Sequence, residues 1–105
     1  MNKEVYSQAL DRSNGGLCEY EGCNSNYMVQ LHHIVGGSGK RAQCERLESV
    51  IFLCYHHHYG TGAGIHGKNG HELILKLRLE LQSKYYDMGM SEDEVRKWMG
   101  GKIYD

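Results

Sequence analysis

Two short pairs of potential metal ligands constrain the fold of this chain more than any other feature of its sequence. Cys18 and Cys23 form a Cys-x4-Cys pair, and Cys54 and His57 form a Cys-x2-His pair. Such spacings are typical of structural zinc sites, in which two pairs from separate segments supply four tetrahedral ligands. Because one ion would need both segments side by side, we expect the intervening chain to fold back as a hairpin. The alternative is that Cys18 and Cys54 are ordinary buried thiols.

A structural metal would also compensate for a small hydrophobic core. The chain has 105 residues, of which 40% are hydrophobic, and this predicts a single domain spanning residues 1–105. Domains of this size often need a disulfide or a bound metal in addition to their core. The sequence lacks an apolar run long enough to span a membrane, and its start lacks the apolar segment of a signal peptide. We therefore expect a cytoplasmic protein with reduced cysteines, in which Cys44, having no partner at a ligand spacing, is a spare thiol.

Hydrophobic patterning predicts an α+β arrangement in which two strands lie between flanking helices. The predicted strands are Tyr27–Ile34 and Val50–Cys54, and the second is the continuous apolar run typical of a buried strand. The polar segment Gly36–Glu48 between them is predicted to be an exposed loop. Residues 59–70 are rich in glycine, which disfavours a long helix there.

Three helices are predicted to flank this hairpin, at Lys3–Leu10, at His71–Asp87, and from Ser91 through Trp98 and Met99. The long helix carries leucine at positions 73, 77 and 81, a spacing that indicates core packing. The last helix begins with the form of a capping box. Trp98 is interpreted as a packing anchor.

Six of the seven histidines lie in two short stretches, which indicates a shared site. One stretch is Leu31–Gly37, with two adjacent histidines, and the other runs from Phe52 to Gly67. Neutral imidazole is the commonest metal ligand in proteins, and it titrates near neutral pH. The concentration of imidazoles beside strand-like runs therefore predicts a metal site with a general base next to it.

In their order and spacing these motifs resemble the HNH endonucleases, the ββα-metal finger nucleases, and in particular their phage and prophage members. The resemblance spans about Cys18 to Tyr86. Its matching runs are Cys-x4-Cys, Leu31-His32-His33-Ile34 with the glycines that follow, Leu53-Cys54-x-x-His57-His58, and Gly64-Ile65-His66-Gly67 before a leucine-rich helix. The resemblance implies a small ββα-metal finger, a β-hairpin plus a helix, with a structural zinc knuckle and flanking helices.

The resemblance also implies a role for each matching residue. His32, His58 and His66 match the metal ligands, with His66 matching by order and not by spacing, and His33 matches the general base. Ser49, or Glu48, stands near the place of the family's central asparagine, which holds a loop by hydrogen bonds. The structural zinc ligands would be Cys18, Cys23, Cys54 and His57. The three consecutive histidines at 56–58 leave the split between the zinc and catalytic roles open by one residue.

The chemistry of phosphodiester hydrolysis agrees with these residue types. Imidazole can activate water near pH 7, and a dication polarises the phosphoryl oxygen. The implied cofactors are structural zinc and a divalent catalytic metal (Mg, Mn, Ni or Co), and imidazole ligands favour manganese, nickel, cobalt or zinc over magnesium. Adjacent strand residues point to opposite faces, so we expect the chain to bend at Gly36 and Gly37 to bring His32 and His33 to one site.

The function predicted from the resemblance is metal-dependent hydrolysis of DNA, in phage DNA processing or recombination within a bacterial or phage-infected cell. A formal net charge of −1 gives no polybasic signal for nucleic acid. Lys40 and Arg41 are candidate phosphate contacts, with a solvated face as the alternative. The sequence leaves open whether the protein forms a homodimer or binds a phage protein.

Two other functions compete with this prediction. One is a non-catalytic zinc-binding module for nucleic acid or protein, which would leave His32, His33 and His66 without a purpose. The other is a metal-dependent hydrolase that acts on a different substrate. His56 and His71 are interpreted as ordinary surface or satisfied core residues.

Overall fold

A computed structural model of the chain describes residues 2–36, 43–59, 64 and 70–104. Within these ranges the chain forms five helical segments and two strands. In chain order the elements are α1 (Lys3–Arg12), β1 (Gln30–His33), a 3₁₀ helix (Leu47–Ser49), β2 (Val50–Leu53), α2 (Tyr55–Tyr59), α3 (Gly70–Asp87) and α4 (Glu92–Trp98). The α+β prediction is confirmed in its coarse form, a small mixed structure of helices and a two-stranded antiparallel sheet.

The hairpin predicted from the two ligand pairs is formed by β1 and β2. Their register pairs Gln30 with Leu53 at one end and His33 with Val50 at the other. β1 begins three residues later than predicted, because Met28 has a φ of +47°, a left-handed conformation that interrupts an extended strand. His33 is still in register with β2, so His32 and His33 project from opposite faces of the sheet. The expectation that a bend brings both histidines to one site is wrong, because the chain stays in the strand through both of them.

The two faces of the sheet pack against different parts of the molecule. On one face Val50 and Phe52 are buried against Val5 and Ala9 of α1. On the other face Leu53 is buried with Cys18 and Cys54. The strands therefore separate an α1 side from a cysteine side, because side chains alternate between faces along a strand.

Helix α1 is fixed at both of its ends. At its start, the Asn2 side chain accepts hydrogen bonds from the backbone N–H groups of Glu4 and Val5, a standard N-cap arrangement. At its end, Arg12 donates to the carbonyl oxygens of Leu47 (2.5 Å) and Val50 (2.7 Å). The helix extends two residues beyond the predicted end, and this last turn ties it to β2.

Helices α3 and α4 build the largest hydrophobic cluster, as the leucine spacing predicted. The buried members are Ile34, Val35, Cys44, Leu73, Leu77, Leu81, Tyr85, Val95 and Met99. The predicted capping box of Ser91 and Glu94 is present at the start of α4. Trp98 packs edge-on against Tyr85, with ring centroids 5.2 Å apart.

The prediction of an exposed loop over Gly36–Glu48 is wrong for the end of that segment. Cys44 is only 3% exposed and donates its thiol to the carbonyl of Lys97 across 3.7 Å. Apolar contacts with α3 and α4 explain this burial, which the polar composition of the segment concealed. Among the residues that the structure describes, none of the helices is both long and apolar enough to cross a lipid bilayer.

Candidate metal centre and histidine pairs

The four residues predicted to bind structural zinc converge at one point. The ligand atoms of Cys18, Cys23, Cys54 and His57 all lie within 4.8 Å of one another. The His57 Nδ1 atom is 3.5 Å from the Sγ of Cys18 and 3.4 Å from the Sγ of Cys54, and the sulfurs of Cys23 and Cys54 are 3.9 Å apart. These four residues, called the knuckle below, can therefore hold a metal ion.

The separations in the knuckle are compatible with zinc. Zinc–sulfur and zinc–nitrogen bonds of ~2.3 and ~2.1 Å in a tetrahedron place neighbouring ligand atoms roughly 3.5–3.8 Å apart. The three distances given above, from 3.4 to 3.9 Å, lie close to that range. Three sulfurs and one imidazole are also a common donor set for structural zinc. The cofactor prediction of structural zinc is thus compatible with both the chemistry and the geometry of the site.

A tight turn presents the first two knuckle ligands. Asn24 donates its backbone N–H to the carbonyl of Cys18 (3.0 Å), and Cys23 donates its own to Tyr20 (2.9 Å). Gly22, Glu21 and Asn24 all have left-handed φ angles, at +76°, +43° and +55°. Glycine tolerates this conformation readily and asparagine more readily than most residues, so Glu21 is the strained position of the three.

The second pair lies where β2 passes into α2. Cys54 follows the last residue of β2, and its carbonyl accepts the first helical hydrogen bond from His58, at 2.9 Å. Burial alone would raise the pKa of the Cys54 thiol, but hydrogen bonds from the backbone N–H groups of His57 and His56 and from the thiols of Cys18 and Cys23 together lower it. A lowered pKa favours the thiolate, which is the form that binds metal.

Of the remaining knuckle side chains, Cys18 and His57 are shielded by neighbouring groups, whereas Cys23 is exposed. Burial raises the pKa of the Cys18 thiol to about 11, so in the metal-free site this thiol keeps its proton near neutral pH. Burial, followed by the nearby charge of His56, lowers the pKa of His57 and so favours the neutral imidazole that ligates metal. The Tyr20 ring covers His57 with ring centroids 4.5 Å apart. Lys76 of α3 donates to the Tyr20 hydroxyl (3.2 Å), which connects the knuckle to the main helix.

The imidazoles of His32 and His58 form a pair on the cysteine side of the hairpin. The rings of His32 and His58 pack edge-on with centroids 5.7 Å apart. The Nε2 atom of His32 and the Nδ1 atom of His58 are both shielded from solvent. Two of the three predicted ligands of the catalytic metal are therefore neighbours. Of the three consecutive histidines, His57 lies with the cysteines and His58 lies beside His32.

His33 makes a contact that sequence reasoning missed. Its Nε2 atom is 2.6 Å from the Oε2 of Glu45, and the side chains are only 10% and 8% exposed. The other carboxylate oxygen of Glu45 accepts the backbone N–H of Asn2, at 2.6 Å. The hydrogen bond with His33 is the main cause that lowers the pKa of Glu45. The available signal was the hairpin itself, since residues just before β2 must lie near residues at the end of β1.

Ser49 fastens the segment that carries Glu45. Its buried hydroxyl accepts the backbone N–H of Arg46 at 2.8 Å and donates to the carbonyl of Cys44 at 2.7 Å, with the carbonyl of Arg46 at 3.0 Å. These are contacts within a loop, of the kind that the resemblance implied for the family's asparagine.

The other candidate residues fall into two groups. His66, Lys40 and Arg41 lie outside the described residues, so their predicted roles as metal ligand and phosphate contacts stay predictions. His56 and His71 are exposed, in agreement with their interpretation as surface residues.

Comparison with known proteins leaves these side chains as the basis for inferring a function. A scan against protein-family models, a search of curated proteins and a search of solved structures all ended without a match.

Proposed function

We propose that this protein is a metal-dependent DNA endonuclease of the HNH type, in which β1, β2 and α2 form a ββα-metal unit. The observation that carries the proposal is the position of His58, which follows the knuckle ligand His57 in α2 and packs against His32 of β1. A purely structural zinc site would have no need of this second imidazole pair. DNA is the proposed partner, with phage DNA processing or recombination as the proposed setting.

The proposed catalytic metal would be held by His32 and His58, with His66 as the third ligand. Two imidazoles bound to one ion at ~2.1 Å have ring centres roughly 5 Å apart, and the 5.7 Å between these rings is close to that spacing. When bound, a dication polarises the phosphoryl oxygen and stabilises the departing 3′ oxygen. The imidazole ligands favour manganese, nickel, cobalt or zinc over magnesium.

In this proposal His33 is the general base that takes a proton from the attacking water. The oxygen of that water bonds to phosphorus as the bond to the 3′ oxygen breaks. The departing 3′ oxygen takes a proton from solvent, which leaves a 5′-phosphate and a 3′-hydroxyl. Because His32 and His33 are adjacent in β1, their side chains point to opposite faces. In this proposal the phosphodiester lies across the end of β1, between those two faces.

In the proposed function the knuckle would hold the helix turn that carries His58. Its zinc would hold Cys54 and His57 together at the junction of β2 and α2, and so fix the first turn of α2. His58 lies in that turn, so its distance from His32 depends on the knuckle. Outer residues that orient metal ligands typically change affinity or activity 10–100-fold when they are lost.

The test is cleavage of supercoiled plasmid DNA by the zinc-loaded chain, with manganese, nickel, cobalt or magnesium added in turn and a chelator as the blank. His33→Gln is the informative variant, because glutamine can still hydrogen-bond to Glu45 but cannot act as a base. We expect its cleavage rate to fall by at least ~10²-fold, within the range for loss of a general base. His71→Ala, which removes an exposed imidazole at the start of α3, is the matched control and should cleave like wild type.

The outcomes separate the proposed nuclease from its two competitors. Wild-type protein that binds DNA without nicking it under any metal would favour the non-catalytic zinc module. Hydrolysis of a simple phosphodiester without cleavage of DNA would favour a hydrolase with another substrate. Cleavage that is equally fast in His33→Gln and wild type would discard His33 as the base.

A further inference from the structure

We propose, on the basis of the nuclease function proposed above, that Glu45 is a positioning residue that holds the imidazole of His33 in the tautomer whose Nδ1 atom accepts the proton. No motif of the sequence points to Glu45. The proposal depends on one contact and on the way that the surrounding chain fixes it.

The contact determines where the proton of a neutral His33 lies. An ionised carboxylate can only accept hydrogen bonds, so the Nε2 atom facing Glu45 at 2.6 Å must carry the hydrogen. The lone pair of the neutral ring is then on Nδ1. Without this partner, both tautomers would be available and only a fraction of molecules would present the reactive one.

Burial makes the contact more effective than an ion pair at the surface. The side chains of His33 and Glu45 are 10% and 8% exposed, so solvent screens their interaction weakly. When His33 gains a proton from water, the carboxylate lies next to the positive charge that forms. Glu45 itself exchanges no proton: the hydrogen moves from the attacking water to Nδ1 while the water oxygen bonds to phosphorus.

Contacts of Glu45 and of the residues on either side of it hold its carboxylate in place. The backbone N–H of Asn2 donates to its second oxygen at 2.6 Å. Ser49 ties down the backbone on either side of Glu45, through the carbonyl of Cys44 and the N–H of Arg46. The Arg46 guanidinium in turn lies 3.8 Å from the centre of the Trp98 ring. A group held in this way can orient a neighbouring imidazole without paying much conformational entropy.

Steady-state cleavage kinetics of Glu45→Ala and Glu45→Gln, on the full zinc-loaded chain, test the proposal first. We expect kcat to fall about 100-fold in the alanine variant and about 10-fold in the glutamine variant, which keeps an acceptor but loses the charge. The KM for DNA should stay the same in both, because Glu45 does not contact substrate in this proposal. Glu80→Gln, which neutralises an exposed glutamate on α3, is the matched control for charge and should leave kcat unchanged.

The tautomer of His33 gives a second readout, which a merely structural role would not change. Long-range ¹⁵N–¹H correlation spectra distinguish an imidazole protonated on Nε2 from one protonated on Nδ1, and the His33→Gln variant identifies the His33 signals. We expect the Nε2–H form in wild type and in Glu80→Gln. In Glu45→Ala we expect a mixture of both forms.

Each result bears on one proposal or the other. An unchanged kcat in both Glu45 variants, or a raised KM at constant kcat, overturns the positioning role. If Glu45→Ala does not fold, the Glu45→Gln kinetics and the wild-type spectrum decide. If wild type cleaves no DNA, the proposed function fails, and the spectra alone decide the role of Glu45: an Nδ1–H tautomer in wild type, or a tautomer that Glu45→Ala leaves unchanged, overturns it.

Discussion

At the scale of single residues, Ser49 shows how one buried hydroxyl can determine the place of a carboxylate. Ser49 is 1% exposed and satisfies backbone groups of two residues that flank Glu45. A backbone polar group left without a partner in a protein interior costs about as much as its desolvation. The short reach of serine is sufficient because the segment turns tightly around it.

We expect Ser49→Ala to lower the free energy of unfolding by about 1–3 kcal/mol, because it leaves the Arg46 N–H and the Cys44 carbonyl without their partner. Urea unfolding of the zinc-loaded protein measures the change. Ser83→Ala, at an exposed position on α3, is the control and should stay within ~0.5 kcal/mol of wild type. Equal stabilities of the two variants would contradict a role for Ser49 in fastening the loop.

At the scale of elements, the short helix α2 gives three consecutive histidines three different environments. Successive helical residues are rotated by ~100° about the axis. His57 therefore points to the cysteines, His58 lies beside His32, and His56 is exposed. Five residues are too few for a stable isolated helix, so α2 depends on what its side chains bind.

We expect purified wild-type protein to carry one zinc per chain and Cys23→Ala to carry almost none, because that substitution removes one of the four knuckle ligands. Elemental analysis after gel filtration measures the metal content. Cys44→Ala is the matched control. This cysteine lies in the hydrophobic cluster of α3 and α4, away from the knuckle, so the variant protein should bind as much zinc as wild type. Zinc in Cys23→Ala at the wild-type level would contradict the assignment of the knuckle.

The sequence predicted the elements with strong local signals and missed a contact that depends on three-dimensional neighbours. The spacing of Cys18, Cys23, Cys54 and His57 predicted the knuckle because zinc imposes its own ligand geometry. The leucines of α3 predicted its buried face in the same local way. Glu45 had no such signal, since its position depends on the strand register, on the start of α1 and on a buried serine that lies in an apparently polar loop.

At the scale of the whole molecule, the charge balance would limit how the proposed nuclease binds DNA. The formal net charge is −1, so long-range attraction to the phosphate backbone would be weak. In the proposed function the electrostatic contacts come from a few cations, for which Lys40 and Arg41 are the sequence candidates. A bound dication would add positive charge at the same place.

We expect DNA affinity to depend only modestly on salt, with a slope of about −2 for log K against log salt concentration if two phosphates are neutralised. Fluorescence anisotropy with the His33→Gln variant measures binding without cleavage. Adding Lys40→Ala and Arg41→Ala should weaken binding at low salt and bring the slope close to zero.

The control for this measurement replaces two exposed lysines on helices, Lys3→Ala with Lys84→Ala, which makes the same change in net charge. An equal loss of affinity in this control would mean that overall charge governs binding, and not Lys40 and Arg41 in particular.

The adjacency of His57 and His58 in α2 has a consequence for how the proposed nuclease is assembled. His57 lies in the knuckle and His58 beside His32, so in the proposed nuclease a single turn of backbone would serve two metals with different tasks. Zinc would then have to bind before the catalytic ion, because the knuckle is what would orient the turn that carries His58. On this proposal a chain made under zinc starvation would be harmless to DNA, however much manganese the cell contains.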